Sequence, residues 1–146
     1  MPRWSAVILV DPAGRLLLQE RDDGAPIDPD RWGLVGGHVD EGEEFEGAAY
    51  RELAEETGVV AEPGTLVLWR EFEVTHRQSP SRGGAMQVFV APSRLTDADI
   101  VCGEGRQIVF VAPDAARALP LTGAATDVVP AFLDSEAYAA LTATAR

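Results

Sequence analysis

The stretch 43–57 (EEFEGAAYRELAEET) constrains this chain more than any other. It contains no proline, its one glycine, Gly47, falls in an early turn, and Gly58 follows as a C-terminal cap. The pattern predicts a helix. At about 100° per residue, Glu52, Glu55 and Glu56 project from one side within a few ångströms of each other. On the same wheel Phe45, Ala49 and Leu53 form an apolar arc, and Glu56 falls inside it. Three clustered carboxylates repel, and a partly buried one needs a compensating charge. A divalent cation supplies that charge. Hard oxygen donors suit magnesium, with manganese as a substitute, rather than zinc, since neither histidine lies beside them on the helix.

The turn before the helix extends the site. Gly36-Gly37 permits close backbone approach or positive φ, and a carbonyl freed there, that of Gly37, is available to a metal. Arg51 lies one turn before Glu55, and Glu43 two turns before Arg51, a spacing that suits an arginine orienting the acids rather than touching substrate.

Around this helix the chain alternates strands and turns. Residues 4–10 (WSAVILV), the turn 11–14 (DPAG) and residues 15–19 (RLLLQ) predict a hairpin. A polar loop with Gly24, Pro26 and Pro29 leads to a short strand, 32–35, and a sharp turn at Gly36-Gly37. Beyond the helix, 66–75, 86–91 and 107–111 are strand-like, with 79–84 expected as a mobile flap. Residues 113–119 and 122–140 predict helices, the second interrupted near Pro130. This is a mixed α/β domain, one unit over residues 1–146, with no internal repeat or linker.

Composition narrows the chemistry. The formal net charge of −12 argues against a general nucleic-acid backbone binder, so a phosphate-rich ligand needs a divalent cation or local arginines. All twelve basic residues are arginine, which removes the P-loop lysine, lysine Schiff bases and the kinase lysine together. Cys102 is the single cysteine. It excludes an internal disulfide and a cysteine zinc site, and reads as a small core residue. No run approaches the roughly 18 to 20 apolar residues of a membrane span, and the start lacks a secretion signal, so a cytoplasmic protein without membrane partners is expected.

The run 37–43 (GHVDEGE) and then 51–59 (RELAEETGV) resembles the box of the Nudix hydrolase family: glycine, five residues, glutamate, seven residues, then R-E-U-x-E-E-x-G-U with U aliphatic. Every fixed position matches, nine of them across 23 residues, and the lead-in WGLVG at 32–36 is similar too. The resemblance implies the family's α/β/α sandwich, with a mixed central sheet and a catalytic loop-helix-loop. It implies magnesium held by Glu52, Glu56, Glu55 directly or through water, and the Gly37 carbonyl. It also implies hydrolysis of a diphosphate linkage in a nucleoside diphosphate derivative. MutT-like cleavage of a (deoxy)nucleoside triphosphate to monophosphate and pyrophosphate is the first expectation, and a nucleotide-sugar or ADP-ribose pyrophosphatase the alternative. A diphosphate isomerase or a non-catalytic ligand-sensing module are readings of other classes. The expected partner is a small nucleotide, with a monomer or homodimer as the assembly.

The general base is the part of the family's mechanism that transfers least. Glu104, in the glycine-flanked Cys102-Gly103-Glu104-Gly105, is a candidate, with an ordinary exposed loop acid as the plain alternative. Trp32, Trp69 and Phe72 read as packing before base stacking. Arg21, Arg70 and Arg82 read as solvated charges before phosphate contacts. His38 decorates the turn beside the metal, His76 is a weak candidate contact or base, and Asp97 and Asp99 read as a solvated loop.

Overall fold

The computed structural model describes residues 2–76 and 79–144. Among the described residues six strands form one mixed sheet: β1 (Arg3–Val10), β2 (Leu16–Glu20), β3 (Trp32–His38), β4 (Val67–His76), β5 (Ser79–Pro92) and β6 (Gln107–Val111), in the order β4-β5-β1-β3-β2-β6. The β1–β5 pairing is parallel and the others are antiparallel. Four helices cover it: α1 (Phe45–Thr57), α2 (Pro113–Ala118), α3 (Gly123–Leu133) and α4 (Glu136–Thr144).

Strand periodicity divides the core into two layers. On β1, Trp4, Ala6, Ile8 and Val10 face one cluster with Val128, Val129 and Phe132 of α3, whereas Val7 and Leu9 face the other with Ala49 and Leu53 of α1. The helices therefore lie on opposite faces, the expected three-layer sandwich. Trp69 meets Phe132 edge-on at 5.0 Å, and Phe132 meets Tyr138 at 5.4 Å, so the Trp69 ring is packing. Trp32 is partly buried against the same layer and Phe72 is within it.

Four local expectations are corrected. Among the described residues, strands β1 and β2 pair only at Val10 and Leu16, because β3 inserts between them farther from the turn. The predicted hairpin thus splays. Residues 79–84 are not a flap but the start of β5, paired to β4 and, from Ala85, to β1. Gly36 and Gly37 are not a turn: they continue β3, paired with Ala6 and Ser5. Helix α3 runs through Pro130 and stops at Asp134, because burial of Val128, Val129, Phe132 and Leu133 outweighs the missing N–H, and Ser135 Oγ accepts from Tyr138 N to start α4.

Candidate active site

Helix α1 begins after Glu44 and ends at Gly58, whose φ of 74° makes the left-handed cap, with its N–H donating to the Ala54 carbonyl. The helix buries Ala48, Ala49, Leu53 and Glu56. Glu56 is 5% exposed, as the wheel predicted. Its Oε1 accepts from Gly36 N at 3.2 Å and its Oε2 from Gln19 Nε2 at 3.4 Å. Burial pushes its carboxyl up to about 8, opposed by the Gly36 hydrogen bond and reinforced by the nearby Glu52 and Glu104 charges. Burial also raises Glu52, against the pull of Arg51. Glu55 stands at the polar edge with its side chain 59% exposed.

Arg51 ties the other acids together. Its Nε and Nη2 each bond a Glu43 oxygen at 2.8 Å, Nη1 reaches Glu52 at 2.9 Å and Glu55 at 3.2 Å, and Nη2 also donates to the His38 carbonyl. These bonds hold Glu43 down to about 2, led by the Arg51 hydrogen bond, and keep the guanidinium even more firmly charged than usual. One guanidinium thus bridges Glu43, Glu52 and Glu55. Helix and strand meet at Gly37, where a Cβ would stand 2.6 Å from the Glu52 carboxylate, while at Gly36 a Cβ would collide with the Ser5 carbonyl. Gly37 lets α1 lie close against the sheet, and Gly36 lets β3 lie close against β1.

No group of three His, Cys, Asp or Glu among the described residues forms a ready metal cage. Arg51 draws Glu52 and Glu55 to one side, and Glu56 bonds Gly36 and Gln19 on the other. The donor set nonetheless fits a hard divalent cation. Glu56 is a buried carboxylate that lacks a countercharge in direct contact, with Glu52 near it.

A cavity of about 510 Å³ opens beside Glu56, within the range of small-molecule sites. Trp4, Leu34, Met86 and Ile27 give it an apolar wall, and Gln19, Arg21, Glu56 and Glu104 a polar one. Sequence reasoning set Arg21 aside as a solvated charge. It lines the cavity instead, with Nη1 donating to the Ile27 carbonyl at 3.0 Å and Nε buried without a partner. The strap that follows it is pinned by Asp28 to Gly123 N and by Asp30 to Arg106. Gln19 and Met86 were missed. The one available signal for Gln19 was a polar residue closing the apolar run Leu16 to Leu18.

The remaining candidates fall as follows. Glu104 is exposed and lines the cavity. Cys102 is exposed rather than core, with Sγ donating to the Glu104 carbonyl, because loop 101–105 lies outside both hydrophobic layers. His38 is exposed, and its ring meets Trp4 tilted by 44° at 5.4 Å between centroids. Arg70 lies over the Phe72 ring. Asp97 and Asp99 form a short 3-10 turn with a capping box, and Asp97 accepts from Phe110 N, so they are not a plain solvated loop. The side chains of His76 and Arg82 lie outside the described residues. No helix among the described residues is long and apolar enough to cross a membrane.

A sheet sandwiched between helices, with a glutamate-bearing helix seated on a Gly-Gly strand beside a cavity, defines the class of α/β/α domains built around an acidic helix. A family model for the NUDIX domain matches residues 1–132, and the chain belongs to that family. A MutT Nudix hydrolase from Burkholderia pseudomallei is 26% identical, with a TM-score of 0.73, covering 88% of this chain and 95% of that one. The MutT protein of Methanosarcina mazei Go1, at 18% identity, shares the fold with a TM-score of 0.70 over 92% of this chain and 96% of that one. A Caulobacter vibrioides protein named RNA pyrophosphohydrolase is 53% identical over 55 residues. That match covers 38% of this chain and 31% of the relative.

Proposed function

We propose that this chain is a magnesium-dependent hydrolase of a diphosphate linkage in a small nucleotide, and that a (deoxy)nucleoside triphosphate cleaved to monophosphate and pyrophosphate is its first substrate class. The observation that carries this reading is Glu56, a buried carboxylate in the wall of a nucleotide-sized cavity, inside an intact Nudix box.

Glu52 and Glu56, with Glu55 and the Gly37 carbonyl, are the groups that would hold Mg²⁺ or Mn²⁺. The ion, when bound, supplies positive charge against the diphosphate oxygens. The protein's own residues do the rest. Arg51 fixes the Glu52 and Glu55 carboxylates, the apolar wall of Trp4, Leu34 and Met86 receives the nucleoside, and Arg21 adds positive charge beside it. A water oxygen attacks one of the two phosphorus atoms of the linkage, the bridging P–O bond breaks, and the departing pyrophosphate or nucleoside monophosphate keeps the bond's electron pair. Glu104, facing the same cavity, takes the proton of the attacking water.

The name of the Caulobacter vibrioides relative favours a second reading, removal of pyrophosphate from RNA 5′ ends. A net charge of −12 and the acids Asp22, Asp28 and Glu104 around the cavity weigh against a polyanionic strand. A panel of nucleoside triphosphates, oxidised nucleotides, nucleotide sugars, ADP-ribose and a 5′-triphosphorylated oligoribonucleotide, assayed with Mg²⁺ and product identification, tests both. Release of a monophosphate and pyrophosphate from a free triphosphate, abolished by EDTA, is expected. Turnover of the oligonucleotide alone would replace this reading with the second, and no turnover of any member would end both.

A further inference from the structure

Strand β2 carries Gln19, a polar residue 5% exposed that follows the buried Leu16, Leu17 and Leu18. A buried amide is tolerated only when its hydrogen bonds are made. Both Nε2 protons of Gln19 have acceptors: the Glu104 carbonyl at 2.9 Å and Glu56 Oε2 at 3.4 Å. The amide therefore joins α1 to the loop between the 3-10 turn and β6.

Backbone hydrogen bonds fasten that loop at both ends. Val101 N donates to the Thr57 carbonyl at 2.9 Å and Gly103 N to the Glu56 carbonyl at 2.7 Å, so the loop caps the end of α1. Arg106 N donates to the Glu20 carbonyl at 2.8 Å. Gly103 has no room for a side chain, since a Cβ would lie 2.6 Å from the Glu55 carbonyl. Between these fastenings sits Glu104, whose carbonyl Gln19 holds and whose residue faces the cavity with Glu56.

We propose that Gln19 is a positioning residue for the hydrolytic site: its amide fixes one oxygen of Glu56 and anchors the peptide of Glu104, setting the span between the helix carboxylate and the loop carboxylate. This rests on the hydrolase reading above, and Gln19 acts through these two acids without touching the reacting atoms.

The test uses the full chain and three variants. Gln19→Met keeps the length and removes the donors, Gln19→Asn keeps the amide on a shorter stem, and Gln19→Met is also combined with Glu104→Gln. Mn²⁺ affinity is measured by electron paramagnetic resonance without nucleotide, and kcat and KM on whichever panel member the parent cleaves. Gln19→Met should lower kcat and weaken Mn²⁺ binding by about 10- to 100-fold, as for other groups that orient metal ligands, with KM within about threefold. The double variant should be no more than about threefold worse than the poorer single one, because both changes break one unit. Gln19→Asn should fold and fall between parent and Gln19→Met.

Values for Gln19→Met within twofold of the parent in both kcat and Mn²⁺ affinity would overturn the assignment, as would full multiplication of the two single effects. Failure of both Gln19→Met and Gln19→Asn to fold would make Gln19 a structural residue and equally refute it. If the parent cleaves nothing, the hydrolase reading fails by itself, while the Mn²⁺ affinities still report on Gln19.

Discussion

Replacing Glu56 by glutamine should make the metal-free protein more stable at neutral pH while destroying the site. The native carboxyl, buried at 5% exposure, is raised from 4.5 to about 8. A group raised on folding contributes its stability fully below its unfolded value, and loses it as pH rises through the folded one. Between pH 4.5 and 7 that loss is about 3 kcal/mol, at 1.36 kcal/mol per pH step. Glutamine carries no charge, so it escapes this loss. Its NH₂ must face either Gly36 N–H or the Gln19 amide, which costs about 1 kcal/mol for one unmade hydrogen bond. The net gain is about 2 kcal/mol at pH 7, a rise in Tm of about 4–8 °C for a chain of this size. Thermal unfolding in EDTA at pH 5, 7 and 8 checks it: the difference should vanish or reverse at pH 5 and grow to pH 8. With Mg²⁺ added, the parent should gain stability and Glu56→Gln should not. A variant that is less stable than the parent in EDTA at pH 7, or a difference that ignores pH, would refute the view of Glu56 as a buried carboxyl whose ionisation lacks a countercharge.

Three further outcomes are expected. Gly37→Ala should push aside the Glu52 carboxylate, a flexible side-chain end, and lower turnover while folding normally, whereas Gly36→Ala meets the Ser5 backbone and should cost about 3 kcal/mol or more in urea unfolding. Arg51→Lys loses the fork that holds Glu43, Glu52 and Glu55, so kcat should fall about 10- to 100-fold. Because Glu43 is held down to about 2, its stabilisation is present above pH 4.5 and lost as pH falls toward 2, so the acid unfolding midpoint of Arg51→Lys should move to higher pH. Phe132→Ala removes a fully buried ring wedged between Trp69 and Tyr138 and should cost about 3–5 kcal/mol, with kcat per folded molecule unchanged.

What this sequence determined by itself is local. Helical spacing put Glu56 in an apolar arc and Glu55 at its edge, and one turn's separation joined Arg51 to Glu55, since these relations depend only on 3.6 residues per turn. The apolar run of β1 was legible as a strand, but the division of its alternate side chains between two core layers was decided by the helices packed on each face. Tertiary structure decided whatever depends on residues distant in the chain. Strand β3 enters between β1 and β2 because long-range pairing outbids a short hairpin, turning Gly36 and Gly37 from a turn into strand. Pro130 stays helical because its helix is buried on the sheet. Gln19 meets Glu104 across 85 residues of chain, and Arg21 turns into a cavity rather than to solvent. Spacing along a sequence carries the geometry of one element; where two elements touch is set by the burial and hydrogen bonding of the whole domain.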